Sequence, residues 1–372
     1  MNEQANARVK ALLDEMVGDG REVGLQVAAY LGGQLVVDCW AGVAARDEGR
    51  AVVGDSLFTV FSTGKGVAAT ALHILAERGK VDYDAPVAAY WPAFAANGKA
   101  RVTVRDALTH RAGIPQMPDG LVPEDLLDWD KMVAKVAELQ PILEPGTTTA
   151  YHALTYGWIV GELVRRIDGR PIGRFVQEEI CAPLGMRDIY FGIPEEAAPR
   201  VAHLERAEPE PGVPQPAPDS IAARAAPQEL VRIIAQPPGW RASIPGGNCV
   251  ASARSLARMY AALIGEVDGV RLLPPDRVQV ATALQTGEVD ANLGRAVNKG
   301  LGYFLGGTPG AAIGPRVTAF GHSGAGGSVA FADPEHGLAV GFAKTLLTTH
   351  ADPARSHTLL VCDRVREALG VA

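Results

Sequence analysis

Apolar positions at helical spacing mark the start of the chain. They are Val9, Leu12, Leu13, Met16 and Val17, and they recur every three or four residues, as on one face of a helix. Two β-prone runs follow, at 25–30 and 34–40, and Gly32-Gly33 between them tolerates the positive φ angles of a tight hairpin turn. The pattern predicts an amphipathic helix followed by an antiparallel hairpin.

Helical patterns dominate the middle of the chain. An Ala- and Leu-rich segment covers 66–78, and Gly79 follows it as a natural C-terminal cap. Further helical patterns cover 103–108, 123–139, 154–166 and 172–180. Between 205 and 245 the chain is dense in proline, so we expect an extended surface segment without regular structure there.

The last third returns to a mixed pattern. A helix is predicted at about 253–264, β-like runs at 317–320, 327–332 and 338–342, and a last helix near 354–369. Strands joined by short turns favour antiparallel pairing. We therefore predict an α/β fold of the α+β type, with one antiparallel sheet built from both chain ends and flanked by helices, plus a mostly helical domain. The predicted α/β domain comprises residues 1–83 and 230–372, and the helical domain comprises 84–229.

Composition and charge narrow the possible partners. The 372 residues are 47% hydrophobic, and 42 acidic residues against 35 basic ones leave a net charge of -7. No basic stripe is available to neutralise a phosphate backbone, so nucleic acid is not an expected partner. The start of the chain lacks the apolar core of a signal peptide, and no apolar run reaches the roughly 18 residues of a membrane span. We expect a cytoplasmic protein that does not bind membranes.

Cysteines and short motifs give no sign of a metal or cofactor. The four cysteines are scattered without a C-x-x-C pair, so neither a zinc site nor a disulfide framework is predicted. Most of them are expected to be buried small apolar groups. Phosphate-cradling and dinucleotide-binding fingerprints are absent from the sequence. We expect neither metal nor cofactor.

The segment Phe61-Ser62-Thr63-Gly64-Lys65 contains an S-x-x-K motif. At the first turn of a helix this spacing puts both side chains on one face, within reach of each other. A buried amine with a lowered pKa can take the serine proton, and the helix N-terminus stabilises developing negative charge. The motif alone is weak evidence for a catalytic serine, because a serine that caps a helix and a solvated lysine three residues later give the same sequence pattern.

The surrounding sequence resembles the serine β-lactamase and penicillin-binding protein superfamily. The resemblance runs in family order through F-T-V-F-S-T-G-K-G-V-A-A-T-A-L at 58–72, G-K-V-D-Y-D-A-P-V at 79–87, V-T-V-R-D-A-L-T-H-R-A-G-I at 102–114, E-P-G at 144–146, Tyr151, P-L-G-M at 183–186, G-G at 246–247 and F-G-H-S-G-A-G-G at 320–327. Class C-like β-lactamases and family VIII carboxylesterases are the branches it is most similar to. The resemblance implies a β-lactamase/transpeptidase-like fold.

The resemblance also implies roles for residues beyond Ser62 and Lys65. Tyr151 stands where the family has its catalytic tyrosine and would share proton transfer with Lys65. His322-Ser323-Gly324 occupies the place of the third family motif, and the backbone N–H of Ala325 would join that of Ser62 as the oxyanion hole. The alternatives are a Tyr151 buried for its ring and a His322 that bonds a loop carbonyl.

Two departures from the β-lactamase pattern bear on the substrate. The family motif Y-x-N reads Tyr151-His152-Ala153 here, so an amide that holds the lactam side chain is missing. The lysine of K-T-G is replaced by His322, which is largely neutral at pH 7. We count Ala153, His322, Ser323 and Gly324 as substrate-binding residues. Both changes favour short-chain carboxylic esters over β-lactams.

Several alternatives stay open. Gly321-His322-Ser323-Gly324-Ala325 is one residue short of the G-x-S-x-G elbow, but the helix that must follow such a serine is not predicted. An acyltransferase, a β-lactamase or D-Ala-D-Ala peptidase-like amidase, and a non-catalytic ligand-binding domain compete with the esterase hypothesis. The expected partner is a small-molecule ester, and a homo-oligomer is possible.

Overall fold

The computed structural model of the protein describes residues 1–208, 216–348 and 356–371. Its strands are β1 Gly24–Leu31, β2 Gln34–Ala45, β3 Arg50–Ala51, β4 Phe58–Phe61, β5 Ile189–Tyr190, β6 Glu205–Arg206, β7 Cys249–Ala251, β8 Phe304–Leu305, β9 Phe320–Ser323, β10 Val329–Asp333, β11 Leu338–Lys344 and β12 Leu346–Leu347. Its α-helices are α1 Glu3–Gly18, α2 Gly64–Glu77, α3 Val87–Tyr90, α4 Val104–Leu108, α5 Trp129–Glu138, α6 Thr155–Asp168, α7 Ile172–Val176, α8 Ile221–Ala225, α9 Gln228–Val231, α10 Pro237–Arg241, α11 Ala253–Ile264, α12 Pro275–Thr282 and α13 His357–Leu369. Shorter 3₁₀ or π-helical turns lie at Pro92–Gly98, Pro123–Leu127, Gln177–Cys181, Glu195–Arg200, Arg232–Ala235 and Ala325–Gly327.

A seven-stranded antiparallel sheet, ordered β3-β2-β1-β11-β10-β9-β8, forms the centre of the fold. Strands β1 and β11 are neighbours, so the sheet is built from both ends of the chain as predicted. The β1–β2 hairpin turns at Gly32 and Gly33, whose φ angles are +55° and +79°. A Cβ on Gly33 would lie 2.1 Å from the carbonyl oxygen of Glu266, so this turn requires glycine for space as well as for conformation.

Helices cover both faces of this sheet. Leu25, Val27 and Ala29 of β1 belong to the core that α1 and α13 share with the sheet. The intervening Ala28 and Tyr30 belong to the second core, which contains α11 and the helices of the middle of the chain. Because successive strand residues point to opposite faces, a strand covered on both sides is largely apolar, and β1 is apolar apart from the buried and hydrogen-bonded Gln26. The predicted fold class is confirmed.

The helical middle packs directly on the second core. Helix α2 lies against α6, and their side chains belong to the same buried cluster as residues of β10 and β11. This buried cluster therefore contains residues of both predicted domains, on either side of the boundaries at 83/84 and 229/230. The division of the chain into these two domains stays a prediction. A separate three-stranded sheet, β4-β7-β5, leads into the N-terminus of α2.

Three local expectations need correction. The region 205–245 contains β6, α8, α9 and α10 rather than lacking regular structure, because Pro227 precedes one short helix and Pro237 starts another with a preset φ. The helical pattern at 123–139 is split into a 3₁₀ turn and α5, since Asp128 caps a new helix start. The β-like run at 317–320 becomes a strand only at Phe320. The predicted segments at 209–215 and 354–355 lie outside the described residues.

The cysteines and the helices agree with two further expectations. Cys39, Cys181, Cys249 and Cys362 are all buried and free. No helix within the described ranges combines the length and the apolar character that crossing a bilayer requires. The cytoplasmic location and the oligomeric state stay predictions.

Candidate active site

Ser62 lies in a tight turn between β4 and α2. Strand β4 ends at Phe61, whose φ of +48° is in the left-handed region that residues with a side chain rarely adopt. Helix α2 begins two residues after Ser62, and a Cβ on Gly64 would lie 2.3 Å from the Cβ of Cys249 on β7. We call residues 61–65 the nucleophile turn. Its strained entry and its close packing on β7 hold Ser62 at the surface of a cavity.

The Lys65 amine is completely buried and contacts three oxygens. Its Nζ lies 2.8 Å from the Oγ of Ser62, 2.7 Å from the carbonyl oxygen of Ala153 and 2.5 Å from that of Gly246. No carboxylate is paired with Lys65 among the residues that the structure describes. Burial without a counter-charge therefore lowers the pKa of Lys65 well below its ordinary value.

These three contacts define what the amine can do when it is uncharged. The carbonyls of Ala153 and Gly246 can only accept hydrogen bonds, so they take the two N–H bonds of an uncharged amine. In the structure Lys65 donates to the Ser62 oxygen, whose own hydroxyl lies 3.2 Å from the Gly246 carbonyl oxygen and donates to it. Once the amine is uncharged, the lone pair is left for the third partner, the hydroxyl of Ser62. Lys65 is thus arranged to accept the Ser62 proton.

The phenol of Tyr151 completes the group of predicted catalytic residues. Its ring centroid is 4.8 Å from the Nζ of Lys65, and only 9% of the residue is exposed. Burial raises the pKa of Tyr151, an effect that the nearby Ser62 hydroxyl opposes. The phenol is therefore protonated at neutral pH and is a proton donor in this setting. The structure thus brings Ser62, Lys65 and Tyr151 together, and Ser62 and Tyr151 line the cavity.

The segment after β9 lies against the nucleophile turn. A Cβ on Gly324 would lie 2.2 Å from the carbonyl oxygen of Val60 and 2.9 Å from the Oγ1 of Thr63. The Ser328 hydroxyl fastens this contact, since it donates to the Val60 carbonyl at 2.8 Å and lies 3.2 Å from the Thr63 hydroxyl. Glycine is required at 324 for this close approach.

Two backbone N–H groups at this contact have no acceptor. Neither the N–H of Ser62 nor that of Ala325 makes a hydrogen bond within the described parts of the chain. Both residues line the same cavity. Free backbone N–H groups beside a nucleophile are the donors that an oxyanion hole needs. The two residues predicted for this role therefore lie on the same cavity with their donors available.

The cavity beside Ser62 has a volume of about 800 Å³. Of the residues predicted to bind substrate, Ala153, Ser323 and Gly324 line it. Apolar side chains form much of the remaining wall, and some of them belong to the 205–245 region. They include Leu154, Val231, Ile234, Leu293, Phe304 and Leu347. A cavity of this size and character suits a small organic molecule.

His322 lies behind the cavity wall rather than in it. The ring is 1% exposed, stacks on Phe304 with centroids 4.2 Å apart, and is 2.7 Å from the carbonyl oxygen of Ser323 through Nδ1. Burial lowers the pKa of His322 to about 3, so the ring is neutral. Its Nε2 is buried without a partner among the described atoms. The position therefore offers no cation to a substrate.

The structure adds residues that sequence reasoning missed. The carbonyl of Gly246 accepts a hydrogen bond from Lys65 and orients it. In the sequence, Gly246-Gly247 is only one part of the family resemblance and has no role attached to it. Ser328 follows the third motif and joins it to the nucleophile turn. Asp290 bonds the main chain of Tyr151 from 139 positions away in sequence, and no local pattern signals it.

Ser323, the alternative nucleophile, lacks the required surroundings. It ends β9 and is followed by the 3₁₀ turn Ala325–Gly327 and then by β10, so no helix starts after it. Its side chain is exposed and has no hydrogen-bonded base in the described structure. Ser62 is the serine of this cavity with an amine beside it.

One group of side chains has metal-ligand spacing among the residues described. The ligand atoms of Asp47, Glu48 and His203 lie within 4.8 Å of one another, but both acidic residues are exposed. None of the three lines the Ser62 cavity.

Known proteins share the sequence pattern and the fold of this chain. The family model described as "Beta-lactamase" matches residues 9–361. The esterase/beta-lactamase LipL of Mycobacterium tuberculosis is 40% identical over 338 residues, covering 84% of this chain and 75% of that protein. A crystal structure of a family VIII carboxylesterase is 34% identical with a TM-score of 0.87, covering 98% of this chain and 96% of the other. A penicillin-binding protein homologue from Caulobacter crescentus is also 34% identical, with a TM-score of 0.86 and coverage of 98% and 97%.

Proposed function

The chain belongs to the β-lactamase family, and from that premise we propose that it is a serine carboxylesterase that forms an acyl-enzyme on Ser62. The observation that carries this proposal is the buried Lys65 amine, 2.8 Å from the Ser62 hydroxyl and without a carboxylate partner among the described residues, where burial lowers its pKa. The names of two similar proteins, an esterase/beta-lactamase and a family VIII carboxylesterase, support esters as the substrate class. The substrate we propose is a small-molecule ester, with turnover of short acyl chains.

Acylation begins with transfer of the Ser62 proton to the lone pair of Lys65 while Oγ bonds to the ester carbonyl carbon. The carbonyl π electrons move to oxygen, and the N–H groups of Ser62 and Ala325 hydrogen-bond the resulting oxyanion. As the C–O bond to the alcohol breaks, the leaving alkoxide takes the Tyr151 proton. The ammonium of Lys65 returns its proton to Tyr151. The products are free alcohol and an acyl group on Ser62.

Deacylation uses the same groups in reverse. Water attacks the acyl carbon and gives a proton to Lys65, and the same two N–H groups stabilise the second oxyanion. Collapse of that intermediate releases the carboxylic acid, and the Ser62 oxygen recovers its proton from the lysine. No carboxylate base is needed at any step.

The preference for esters over β-lactams follows from what two positions lack. Ala153 presents a methyl group to the cavity and uses its carbonyl to hold Lys65, so no amide is available there. His322 is neutral and buried. A lactam carboxylate and side-chain amide would therefore lose two contacts that an ester does not require.

Identification of the nucleophile tests the mechanism. The protein is treated with a fluorophosphonate, and intact mass and peptide mapping locate the adduct. The expected result is one adduct on Ser62. An adduct on Ser323, or none on a protein that turns over esters, contradicts the proposal.

Steady-state kinetics test the substrate class. We expect kcat/KM for p-nitrophenyl butyrate to exceed that for a chromogenic cephalosporin by at least about a hundredfold, as when roughly 3 kcal/mol of transition-state contacts are missing. Added alcohols reveal acyl transfer as new ester products. Comparable efficiencies on ester and cephalosporin point to a β-lactamase, and dominant ester exchange points to an acyltransferase.

A further inference from the structure

The segment that carries Tyr151 is held by a distant loop rather than by regular structure. Residues 148–152, which we call the tyrosine segment, belong to no helix or strand. The Tyr151 N–H donates to the Oδ1 of Asp290 at 3.0 Å, and the Tyr151 carbonyl accepts a hydrogen bond from the side chain of Asn292. Both main-chain polar groups of Tyr151 are therefore bonded to side chains of residues 290–299, which we call the anchor loop.

Asp290 is the centre of this arrangement. Its Oδ1 also accepts the N–H groups of Asn292 and Leu293, each at 2.9 Å, so one oxygen ties the anchor loop to the tyrosine segment. Its Oδ2 lies 2.6 Å from the Nζ of Lys299, and the two side chains are 0% and 1% exposed. A carboxylate this deeply buried requires such a partner.

Lys299 extends the connection to the other end of the tyrosine segment. Its Nζ donates to the Oγ1 of Thr149 at 2.7 Å. The main chain of the anchor loop adds a fourth hydrogen bond, because the Ala291 N–H donates to the Thr149 carbonyl at 2.9 Å. The tyrosine segment is thus fixed on both sides of Ala150 by one buried ion pair and its loop.

We propose that Asp290 and Lys299 are positioning residues for the reaction, because the buried pair fixes the main chain of Tyr151 and thereby the place of its phenol beside Ser62. This inference rests on the proposed function, in which Tyr151 donates a proton. A displacement of about 1 Å at a reacting group can cost about a hundredfold in rate. Buried ion pairs add little to stability compared with apolar residues, so placement of a catalytic group explains the pair better than stability does.

The first experiment removes the pair as a unit, so that no lone charge stays buried. Asp290→Ala/Lys299→Met is assayed on methyl butyrate, whose alkoxide leaving group needs a proton. We expect kcat to fall by about 30- to 100-fold with KM within about threefold of wild type. A wild-type kcat in a folded variant overturns the proposal.

Glu162→Gln is the matched control for a general loss of stability. Glu162 is also completely buried and charge-paired, with Arg165 and Arg166, but it lies in α6 away from the cavity lining. Thermal melts are recorded for both variants. The control is expected to keep kcat within about twofold of wild type although its melting temperature falls. An equal drop in kcat in the control overturns a specific role for the anchor loop.

A double-mutant cycle separates positioning from a structural effect. If the pair acts through the phenol, its removal in a Tyr151→Phe background changes kcat by less than about threefold, since the group it positions is already gone. Losses that multiply overturn the proposal. If Tyr151→Phe itself keeps full activity on methyl butyrate, the proposed function fails in its use of Tyr151. If Tyr151→Phe is slow and the pair variant is not, the positioning role alone fails.

A milder variant keeps the test decisive if the pair variant does not fold. Asn292 is partly exposed, so Asn292→Ala removes the bond to the Tyr151 carbonyl without leaving a buried charge. We expect kcat on methyl butyrate to fall by about five- to tenfold, and the effect to disappear in the Tyr151→Phe background. An unchanged kcat in Asn292→Ala overturns the proposal.

Discussion

The nucleophile turn and the tyrosine segment lie on the same cavity but are held in different ways. Ser62 and Lys65 are three residues apart in the turn that leads into α2, and the Lys65 N–H donates to the Ser62 carbonyl at 2.9 Å, so their relation is set locally. Tyr151 belongs to no regular element and takes its place from Asp290 and Lys299, far away in sequence. The comparison shows that the positions of Ser62 and Lys65 depend on residues next to them in sequence, whereas the position of Tyr151 depends on contacts with residues that are distant in sequence. The two parts of the site should therefore respond differently to mutation.

The largest effect is expected on the nucleophile itself. Ser62→Ala should lower kcat/KM for p-nitrophenyl butyrate by at least about 10⁴-fold, because no acyl-enzyme can form. Ser323→Ala should stay within about tenfold of wild type, because Ser323 is exposed and has no base beside it. Initial rates of both purified variants decide this. A dead Ser323→Ala with an active Ser62→Ala would reverse the assignment.

Lys65 should show the next largest effect, together with a change in pH dependence. Lys65→Ala is expected to lose about 10³-fold in kcat/KM, the range of a general base. The base must be unprotonated and burial lowers its pKa well below the ordinary lysine value, so wild-type activity should persist well below that ordinary pKa and be lost as the pH falls through the lowered one. The acid limb should disappear in Lys65→Ala. A wild type that gains activity only near the ordinary lysine pKa would contradict a neutral Lys65.

The neighbouring histidines should not obscure that acid limb. Burial lowers the pKa of His152 to about 4 and that of His322 to about 3, so both rings are uncharged from mildly acidic pH upward. A His322→Gln variant is the control, since it removes a titrating ring while keeping a neutral polar side chain. Its acid limb should coincide with that of wild type.

Substitution of Tyr151 should lower kcat less than substitution of Lys65, and the size of the decrease should depend on the leaving group of the ester. Tyr151→Phe keeps the ring and its packing but removes the proton donor. We expect a loss of about 10²-fold on methyl butyrate, whose alkoxide needs a proton, and a distinctly smaller loss on p-nitrophenyl butyrate, whose leaving group does not. Parallel kcat measurements on the two esters make the comparison. Equal losses on both would assign Tyr151 a role other than protonating the alcohol.

The smallest effect is expected where β9 is fastened to the nucleophile turn. Ser328 is buried, and Ser328→Ala removes its hydrogen bond to the Val60 carbonyl. We expect about 1–2 kcal/mol less free energy of unfolding and a few-fold lower kcat, since the oxyanion donors are loosened but not lost. Urea unfolding and steady-state assays measure the two quantities. Val329→Ala on the adjacent strand is a control that should cost stability without a specific loss of kcat.

The same contrast explains how far sequence alone could lead. Gly32-Gly33 predicts its hairpin and Gly79 its helix end because the cause is local conformation. The strand pairing of both chain ends also followed from the order of β-like runs. The short helices after Pro227 and Pro237 were missed, because proline density reads as an extended chain when its role at helix starts is overlooked. The role of Asp290 could not be predicted, since an acidic residue in a loop gives no sequence signal. Its contact with the main chain of Tyr151 exists only in the folded chain.

The pairing of β1 with β11 also has a consequence for biosynthesis. Strand β1 leaves the ribosome more than 300 residues before its partner at Leu338–Lys344, so one edge of the β1–β2 hairpin has no neighbour until those residues are made. An unpaired apolar strand edge is a site for association with other chains. Completion of the sheet therefore awaits the synthesis of β11, and truncated products that end before Leu338 are expected to require chaperones or to aggregate.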